Sequence, residues 1–146
     1  MATYAYKPGA GGITASGVAD KARVFRVVDF AQVVASREAA GQAALAASDV
    51  LEIMTVAAGT IVSEVTLSIV KAESKETTAT IAVGDGSDAD GYVTATATST
   101  AGTYGTAGAY GLGSKLYSAT DTLDLTIGTK VPTDLVIRVG ATLTRA

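Results

Sequence analysis

The chain has 146 residues and a formal net charge of −3, and it contains neither cysteine nor histidine. A domain of this length buries enough surface to fold without disulfides. The two missing residue types exclude thiolate metal sites, cysteine nucleophiles and every Ser-His or Cys-His catalytic pair. Paired carboxylates or a lysine could still act in catalysis, but this inventory predicts that the protein is not an enzyme.

The charged residues are distributed unevenly along the chain. Residues 1–38 carry five basic side chains against three acidic ones, residues 130–146 carry three against one, and the segment between them carries three against ten. Such segregation could steer a basic arm onto an acidic partner, or one subunit onto another; the alternative is ordinary solvated charge. The chain has a negative net charge and no stripe of basic residues interleaved with aromatic ones. We therefore predict no direct nucleic-acid binding.

The hydropathy pattern predicts no membrane association. The most apolar window, about residues 39–62, is interrupted by polar and charged side chains such as Asp49 and Glu52, which makes it a poor spanning segment. The start of the chain lacks the charged region and the apolar core of a signal peptide. We therefore expect a soluble protein that is made in the cytoplasm and not secreted.

Residues 1–20 contain one proline and several glycines among small side chains, too little apolar bulk to pack as an independent element. They predict an extended N-terminal arm, and residues 21–146 predict a single domain. Such an arm either becomes ordered on a partner or is simply a frayed terminus.

The segment from Ala22 to Ser36 alternates in part and predicts a strand, with Val24, Arg26 and Val28 on one side. Residues 37–48 are the best helix-forming run. Because Gly41 interrupts that run, we expect only one or two turns of helix, or a loop.

Strand-like alternation dominates after Asp49. Residues 50–56 predict a strand in which Leu51 and Ile53 share a face opposite Met54, and residues 61–71 predict the clearest strand. The charged run 71–76 predicts an exposed connection. The pairs Lys71 with Glu73, Lys75 with Glu76 and Arg37 with Glu38 are interpreted as solvated charges. Residues 77–83 predict a further strand, and the thin Thr/Ala alternation of 92–100 suits an edge or an interface.

Two more strands close the chain. Leu123, Leu125 and Ile127 alternate with polar residues, a turn follows at Pro132, and residues 135–143 alternate again. Seven or eight short strands at regular spacing predict an all-β fold, an antiparallel β-sandwich and among sandwiches a jelly roll, with the extended N-terminal arm outside it.

The sequence GDGSDADG suggests a cation site, because Asp85, Asp88 and Asp90 could surround a hard cation with oxygen ligands. An EF-hand register is excluded, since its first ligand position falls on Gly86 and its glutamate position on Ala97. A simpler loop site built from the three aspartates remains an alternative to a plain hairpin loop, and we assign no metal or other cofactor.

The sequence GTYGTAGAYGLG places Tyr104 and Tyr110 six residues apart in a glycine-rich loop. It lacks the lysine and helix of a phosphate loop. One interpretation is a loop that presents aromatic anchors to a partner or a sugar. The other is a loop whose tyrosines fold back over the end of the sandwich.

Four segments of the sequence resemble a known class of proteins: AAGTIVSEVTLSIVKAE, TATIAVGDGSDADGY, LYSATDTLDLTIG and VIRVGATL. Together they cover about residues 45–143. They resemble the small cement or decoration proteins on the capsids of tailed bacteriophages. Val83–Tyr92 matches the loop that follows a strand pair in such proteins, and Tyr117–Leu125 matches the segment that leads into the closing strand. Residues 1–44 show no comparable match.

The resemblance implies a structural virion protein on the outer capsid surface, made in the host cytoplasm. It would bind across neighbouring major capsid protein subunits and stabilise the expanded head, as a homo-oligomer, dimer or trimer, whose linked contacts add avidity. The candidate contact residues are Lys7, Lys21, Arg23, Tyr104 and Tyr110.

Two other functions remain open. A virion-associated jelly-roll module could bind a receptor or glycan through Tyr104 and Tyr110, with or without an aspartate-bound calcium ion. A glycan hydrolase would need a carboxylate pair in a cleft, and the acids here fall mainly at outward strand positions or turns.

Overall fold

The computed structural model describes residues 3–5, 21–111 and 113–146. Within them it has nine strands and one helix. The strands are β1 Thr3–Ala5, β2 Lys21–Asp29, β3 Val50–Val56, β4 Thr60–Lys71, β5 Thr80–Gly84, β6 Val93–Ala97, β7 Lys115–Tyr117, β8 Asp121–Gly128 and β9 Val136–Arg145, and helix α1 is Phe30–Ala39.

The strands form two sheets. One sheet has the order β1-β3-β8-β5-β6 and the other the order β2-β9-β4-β7. Every pairing is antiparallel except that of β1, which runs parallel to β3. The prediction of an all-β antiparallel sandwich is therefore confirmed. Consecutive strands from β2 to β9 lie in opposite sheets, except β5 and β6, which lie in the same sheet. This order is typical of a jelly roll, and the jelly roll stays a prediction.

The core lies between the two sheets and follows the period-2 alternation of the strands. On β4, Val65, Leu67 and Ile69 are buried, and their partner strand β9 contributes Ile137 and Val139. β6, the Thr/Ala strand, lies at one edge of the five-stranded sheet, as its thin pattern predicts. No helix in the described part of the chain is long and apolar enough to cross a bilayer.

The predicted strand over 22–36 is wrong in its second half, because the chain turns into a helix at Phe30. The carboxylate of Asp29 accepts hydrogen bonds from the backbone N–H groups of Ala31 and Gln32, at 3.1 and 3.4 Å. This N-cap satisfies donors that begin the helix. Of the two alternatives for residues 37–48, the structure has the loop beyond Ala39, where α1 ends, and Gly41 follows with φ 66°.

The paired strands have four register shifts, and two of them show how a bulge alters the predicted alternation. The register of β3 shifts between Glu52 and Met54, so Ile53 and Met54 are both buried, although alternation predicts opposite faces for them. The register of β4 shifts between Ser63 and Thr66, where Glu64 has φ 52°. Each bulge adds a residue that strict alternation cannot accommodate.

The prediction of an exposed charged connection over 71–76 is wrong at Glu73, which is only 1% exposed. Its carboxylate accepts hydrogen bonds from the turn before β5 and from the turn before β9. Lys71 does not pair with Glu73; its ammonium Nζ lies 3.6 Å from the carboxylate Oδ2 of Asp134 instead. Arg37 is likewise buried and donates to the carbonyl oxygen of Ala43, so it is not a solvated charge.

Of the predicted arm over 1–20, the structure describes only β1, whose residues Thr3–Ala5 pair with Val50–Glu52. The rest of the arm, with the candidate contact Lys7, lies outside the described residues. The division into an arm and a domain over 21–146 stays a prediction.

Candidate interaction surface

The outer face of the four-stranded sheet gathers most of the candidate contact residues. We call it the basic-apolar face and define it by Lys21, Arg23, Phe25, Val27, Val70, Tyr104, Leu116 and Arg138. Residues two apart on a strand share a face, and directly paired residues on neighbouring strands lie side by side. The alternation of β2 and the register of β9 and β4 therefore fix the geometry of this face.

One row of paired residues crosses the basic-apolar face. Val27 pairs with Arg138, Arg138 with Ser68, and Ser68 forms an isolated bridge with Tyr104. Three strand spacings make this row about 14 Å wide. A residue of the glycine-rich loop is thus joined in one row to three strands, β4, β9 and β2, that are distant from it in sequence.

All five exposed large apolar side chains of the described residues lie on this face: Phe25 at 45% exposure, Val27 at 53%, Val70 at 57%, Tyr104 at 73% and Leu116 at 57%. Single exposed apolar residues are normal on a protein surface, but a contiguous apolar patch marks an interaction site. Their collection on one side of one sheet makes that side the candidate interface.

An aromatic ring between two guanidinium groups forms the centre of the face. Phe25 pairs across the sheet with Gly140, and a Cβ at Gly140 would come within 2.9 Å of the Phe25 ring. The ring therefore lies against β9 where there is no side chain. The guanidinium of Arg138 lies 4.5 Å from the ring centroid and that of Arg23 lies 5.3 Å from it, both within cation-π distance.

The two arginines differ in their hydrogen bonds. Arg23 donates to the hydroxyl oxygens of Thr66 at 2.8 Å and Thr142 at 3.3 Å, and also to the carbonyl oxygen of Glu64. It braces β2, β9 and β4 together. For the Arg138 guanidinium, no hydrogen-bond acceptor is found within the described ranges; its contact is the Phe25 ring. Lys21 is exposed at the start of β2.

The structure separates the two candidate tyrosines. Tyr104 is exposed on the basic-apolar face, whereas Tyr110 folds back and packs edge-on against buried Tyr92 with 4.9 Å between ring centroids. The Tyr110 hydroxyl donates to Asp85 at 3.2 Å. A Cβ at Gly91 would come within 2.3 Å of the Tyr110 ring, so a glycine is required beside it. Tyr104 therefore fits the interpretation of an exposed aromatic anchor, and Tyr110 fits the interpretation of a tyrosine that folds back over the sandwich.

Asp85 is the centre of a buried polar network and not a free metal ligand. Its carboxylate, 3% exposed, accepts hydrogen bonds from the Lys115 ammonium, from the Tyr117 hydroxyl at 2.6 Å and from the backbone N–H groups of Ser87 and Asp88. Tyr117 is joined in turn to the Tyr92 hydroxyl at 2.8 Å. The network ties the start of the 85–91 loop to β7.

The pKa values in this network reflect its burial and its hydrogen bonds. Burial would raise the pKa of Asp85, but the hydrogen bonds from Lys115 and Tyr117 outweigh it and hold that pKa below its ordinary range. Burial would lower the pKa of Lys115, but the hydrogen bonds to Asp85 and Tyr110 raise it. Burial also raises the pKa of Tyr92 to about 12 and that of Tyr117 above its ordinary value. At neutral pH the network is an ion pair with neutral phenols.

The three aspartates of the predicted cation loop are not brought together. Asp85 is buried in the network, Asp88 is partly exposed and accepts from the N–H of Asp90 at 3.4 Å, and Asp90 is exposed. Among the residues that the structure describes, no three acidic side chains form a group that could hold a metal ion.

The outer face of the five-stranded sheet is acidic by contrast. Asp124 on β8 pairs with Glu52 on β3 and is only 6% exposed. Burial raises the pKa of Asp124 to about 6; the hydrogen bond from Thr122 opposes this rise, while the charges of Glu52 and Asp121 add to it. The charged form is therefore disfavoured in the folded state.

We expect Asp124→Asn to raise the free energy of unfolding by about 1 to 2 kcal/mol near pH 7.5. Since the folded-state pKa lies above the unfolded one, the native state binds more protons between about pH 4 and 6, and wild-type stability falls as pH rises through that window. The gain should vanish near pH 4. Urea unfolding at both pH values measures it, with the exposed Asp90→Asn as the matched control. An equal gain at both pH values would contradict the charge argument.

No protein-family model and no curated protein sequence matches the chain. Its fold nevertheless matches chains in three solved structures. A chain of the Cyanophage Pam1 capsid is 20% identical, with a TM-score of 0.61, and the match covers 97% of this chain and 98% of that one. All three come from bacteriophage capsids.

The other two matches are more distant in sequence. A chain of the capsid of Ralstonia phage GP4 is 14% identical over 93% of this chain and 91% of that one, with a TM-score of 0.59. A chain of the acid-stable capsid of Helicobacter pylori bacteriophage KHP30 is 9% identical over 86% and 88%, with a TM-score of 0.58. At these identities the likeness establishes a shared fold along nearly the whole chain.

Proposed function

We propose that this protein is a non-enzymatic structural component of a bacteriophage virion that binds the outside of the capsid across neighbouring major capsid protein subunits and stabilises the expanded head. The observation that carries the proposal is the basic-apolar face: every exposed large apolar side chain of the described residues lies there. The folds shared with chains of three phage capsids support a location in the virion.

The size of the face supports binding through repeated contacts. From Lys21 to Val27 it extends about 20 Å along β2, and its widest row measures about 14 Å. The area enclosed by these two lengths is smaller than the roughly 800 Å² that each partner buries in a stable interface of standard size. A dimer or trimer that contacts several coat subunits would convert such weak contacts into firm attachment, because the second contact is made at high effective concentration.

Co-sedimentation tests the proposal directly. We expect the purified protein to bind empty expanded capsids saturably, to bind unexpanded procapsids less, and to raise the temperature at which decorated particles lose integrity. Size-exclusion chromatography with light scattering measures the oligomeric state in the same preparation. A folded protein that binds neither particle, or that binds without raising particle stability, would contradict the proposal; glycan binding in the absence of capsids would favour the receptor-binding alternative.

A further inference from the structure

We propose that Arg138, held by the Phe25 ring at the centre of the basic-apolar face, is a preorganised binding site for a carboxylate of the partner protein. The inference rests on the proposed function for the identity of the partner, an acidic surface of the capsid coat protein. The chemistry of the site itself can be tested without capsids.

The Arg138 guanidinium is restrained by a neighbouring ring and has unused hydrogen-bond donors. The guanidinium carbon of Arg138 lies 4.5 Å from the centroid of the Phe25 ring, a contact that restrains the side chain, and no acceptor in the described part of the chain uses its N–H donors. A restrained planar fork with unused donors matches the two oxygens of a carboxylate and loses less side-chain entropy than a free arginine when it binds one. Arg23 is less suited to this role, because both of its terminal nitrogens already donate hydrogen bonds within the protein, to Thr66, Thr142 and Glu64.

The charge around the site favours an acidic partner. The face carries three cations, Lys21, Arg23 and Arg138, on a protein whose net charge is −3. Two acids lie on the same side of the sheet: Glu64, whose carboxylate accepts a hydrogen bond from the Thr142 hydroxyl at 2.9 Å, and Asp29, whose carboxylate is bound to the backbone at the start of α1. A local positive field on this face attracts an acidic surface of a partner protein.

Exposed apolar side chains flank Arg138 on the basic-apolar face. Val27 is the direct register neighbour of Arg138, and Tyr104 lies two strands further along the same row. Apolar contacts around a charged pair exclude water and strengthen its electrostatic attraction. Three cations among valine, leucine and tyrosine side chains suit an acidic protein surface; nucleic acid would call for a longer basic stripe with stacking aromatics.

An NMR titration tests the site on the isolated protein. The probe is a capped synthetic peptide of alternating glutamate and serine, and its control replaces each glutamate by glutamine. We expect the glutamate peptide to shift the Arg138 Nε–Hε signal and the Phe25 and Val27 amides saturably, and the glutamine peptide to shift none of them. Equal shifts at Arg145, or tighter binding of an oligothymidine, would overturn the proposal.

Capsid binding by matched variants tests the partner. Arg138→Gln should weaken binding about tenfold, and Arg138→Lys should fall between this variant and the wild type, because lysine keeps the charge but loses the planar fork. Arg145→Gln removes the same charge from an exposed position seven residues along β9 and should bind as the wild type does.

The outcomes separate the two proposals. If the wild type binds capsids and Arg138→Gln binds equally well, the arginine site is wrong and the capsid function stands. If the wild type does not bind capsids but the glutamate peptide binds at Arg138, the site stands and its assignment to the coat protein fails.

Discussion

Replacing Glu73 by alanine should lower the free energy of unfolding by about 3 to 5 kcal/mol at neutral pH. The carboxylate accepts six hydrogen bonds at 2.7–3.1 Å, five from backbone N–H groups of residues 75, 76, 133, 134 and 135 and one from the Thr133 hydroxyl. Its loss leaves buried donors without partners, and each such donor costs about 1 to 3 kcal/mol when it finds no water. Urea unfolding measures the change.

The pH dependence distinguishes this effect from a simple loss of packing. Burial would raise the pKa of Glu73, but hydrogen bonds from the N–H groups of Glu76, Asp134 and Thr133 hold it below its ordinary value. A lowered folded-state pKa contributes stability above the ordinary range of glutamate and loses that contribution as pH falls. The difference between wild type and Glu73→Gln should therefore shrink on acidification.

The control for this prediction is Glu38→Gln, which removes the same charge from an exposed position on α1. It should change stability by less than about 0.5 kcal/mol. If Glu73→Gln lost the same amount of stability at neutral pH and below the ordinary pKa of glutamate, the charged hydrogen-bonded carboxylate would not be the cause.

The strands could be predicted because their signal is local. On β4, Val65, Leu67 and Ile69 point inward whatever pairs with them, since side chains alternate along a strand and only one face meets the core. The same argument holds for Leu123, Leu125 and Ile127 on β8, but not at the bulges, where an inserted residue resets the alternation.

Glu73 and the candidate interface could not be predicted in the same way, because they depend on partners distant in sequence. Glu73 looks like one charge in an exposed run until the turn about 60 residues later supplies its donors. Lys21 and Arg23 share a face through the alternation of β2, but Tyr104 joins them on that face only because β9 and β4 lie between β2 and the loop. Arg138, whose outward position the alternation indicates, becomes a candidate contact only when Phe25 is placed beside it.

Replacing Asp85 by alanine should also cost about 3 to 5 kcal/mol, because it leaves the Lys115 ammonium without its buried counter-charge. The Asp85 side chain is fully buried and that of Lys115 is 26% exposed. Removal of one partner of a buried pair is more harmful than removal of both, since the remaining charge pays its desolvation penalty alone. Urea unfolding of the single variants and of the double variant measures this directly.

The double variant Asp85→Ala/Lys115→Met supplies the decisive comparison. It should be more stable than Asp85→Ala alone, because a methionine needs no counter-charge, and the coupling energy from the cycle isolates the pair. If the double variant lost as much unfolding free energy as the two single variants lose together, the two side chains would act independently.

Phenol titration by ultraviolet absorbance adds a second readout of the Asp85 network. Burial and then the hydrogen bond to Asp85 raise the pKa of Tyr117, so Asp85→Ala should lower the pH at which this phenol ionises. The same network holds Tyr110, which lies in the loop that carries Tyr104 to the basic-apolar face. Asp85→Ala should therefore weaken capsid binding while Arg138 stays in place, whereas Asp90→Asn, at an exposed position of the same 85–91 loop, should leave binding unchanged. If Asp85→Ala loosened the loop without any loss of binding, Tyr104 would have no part in the interface.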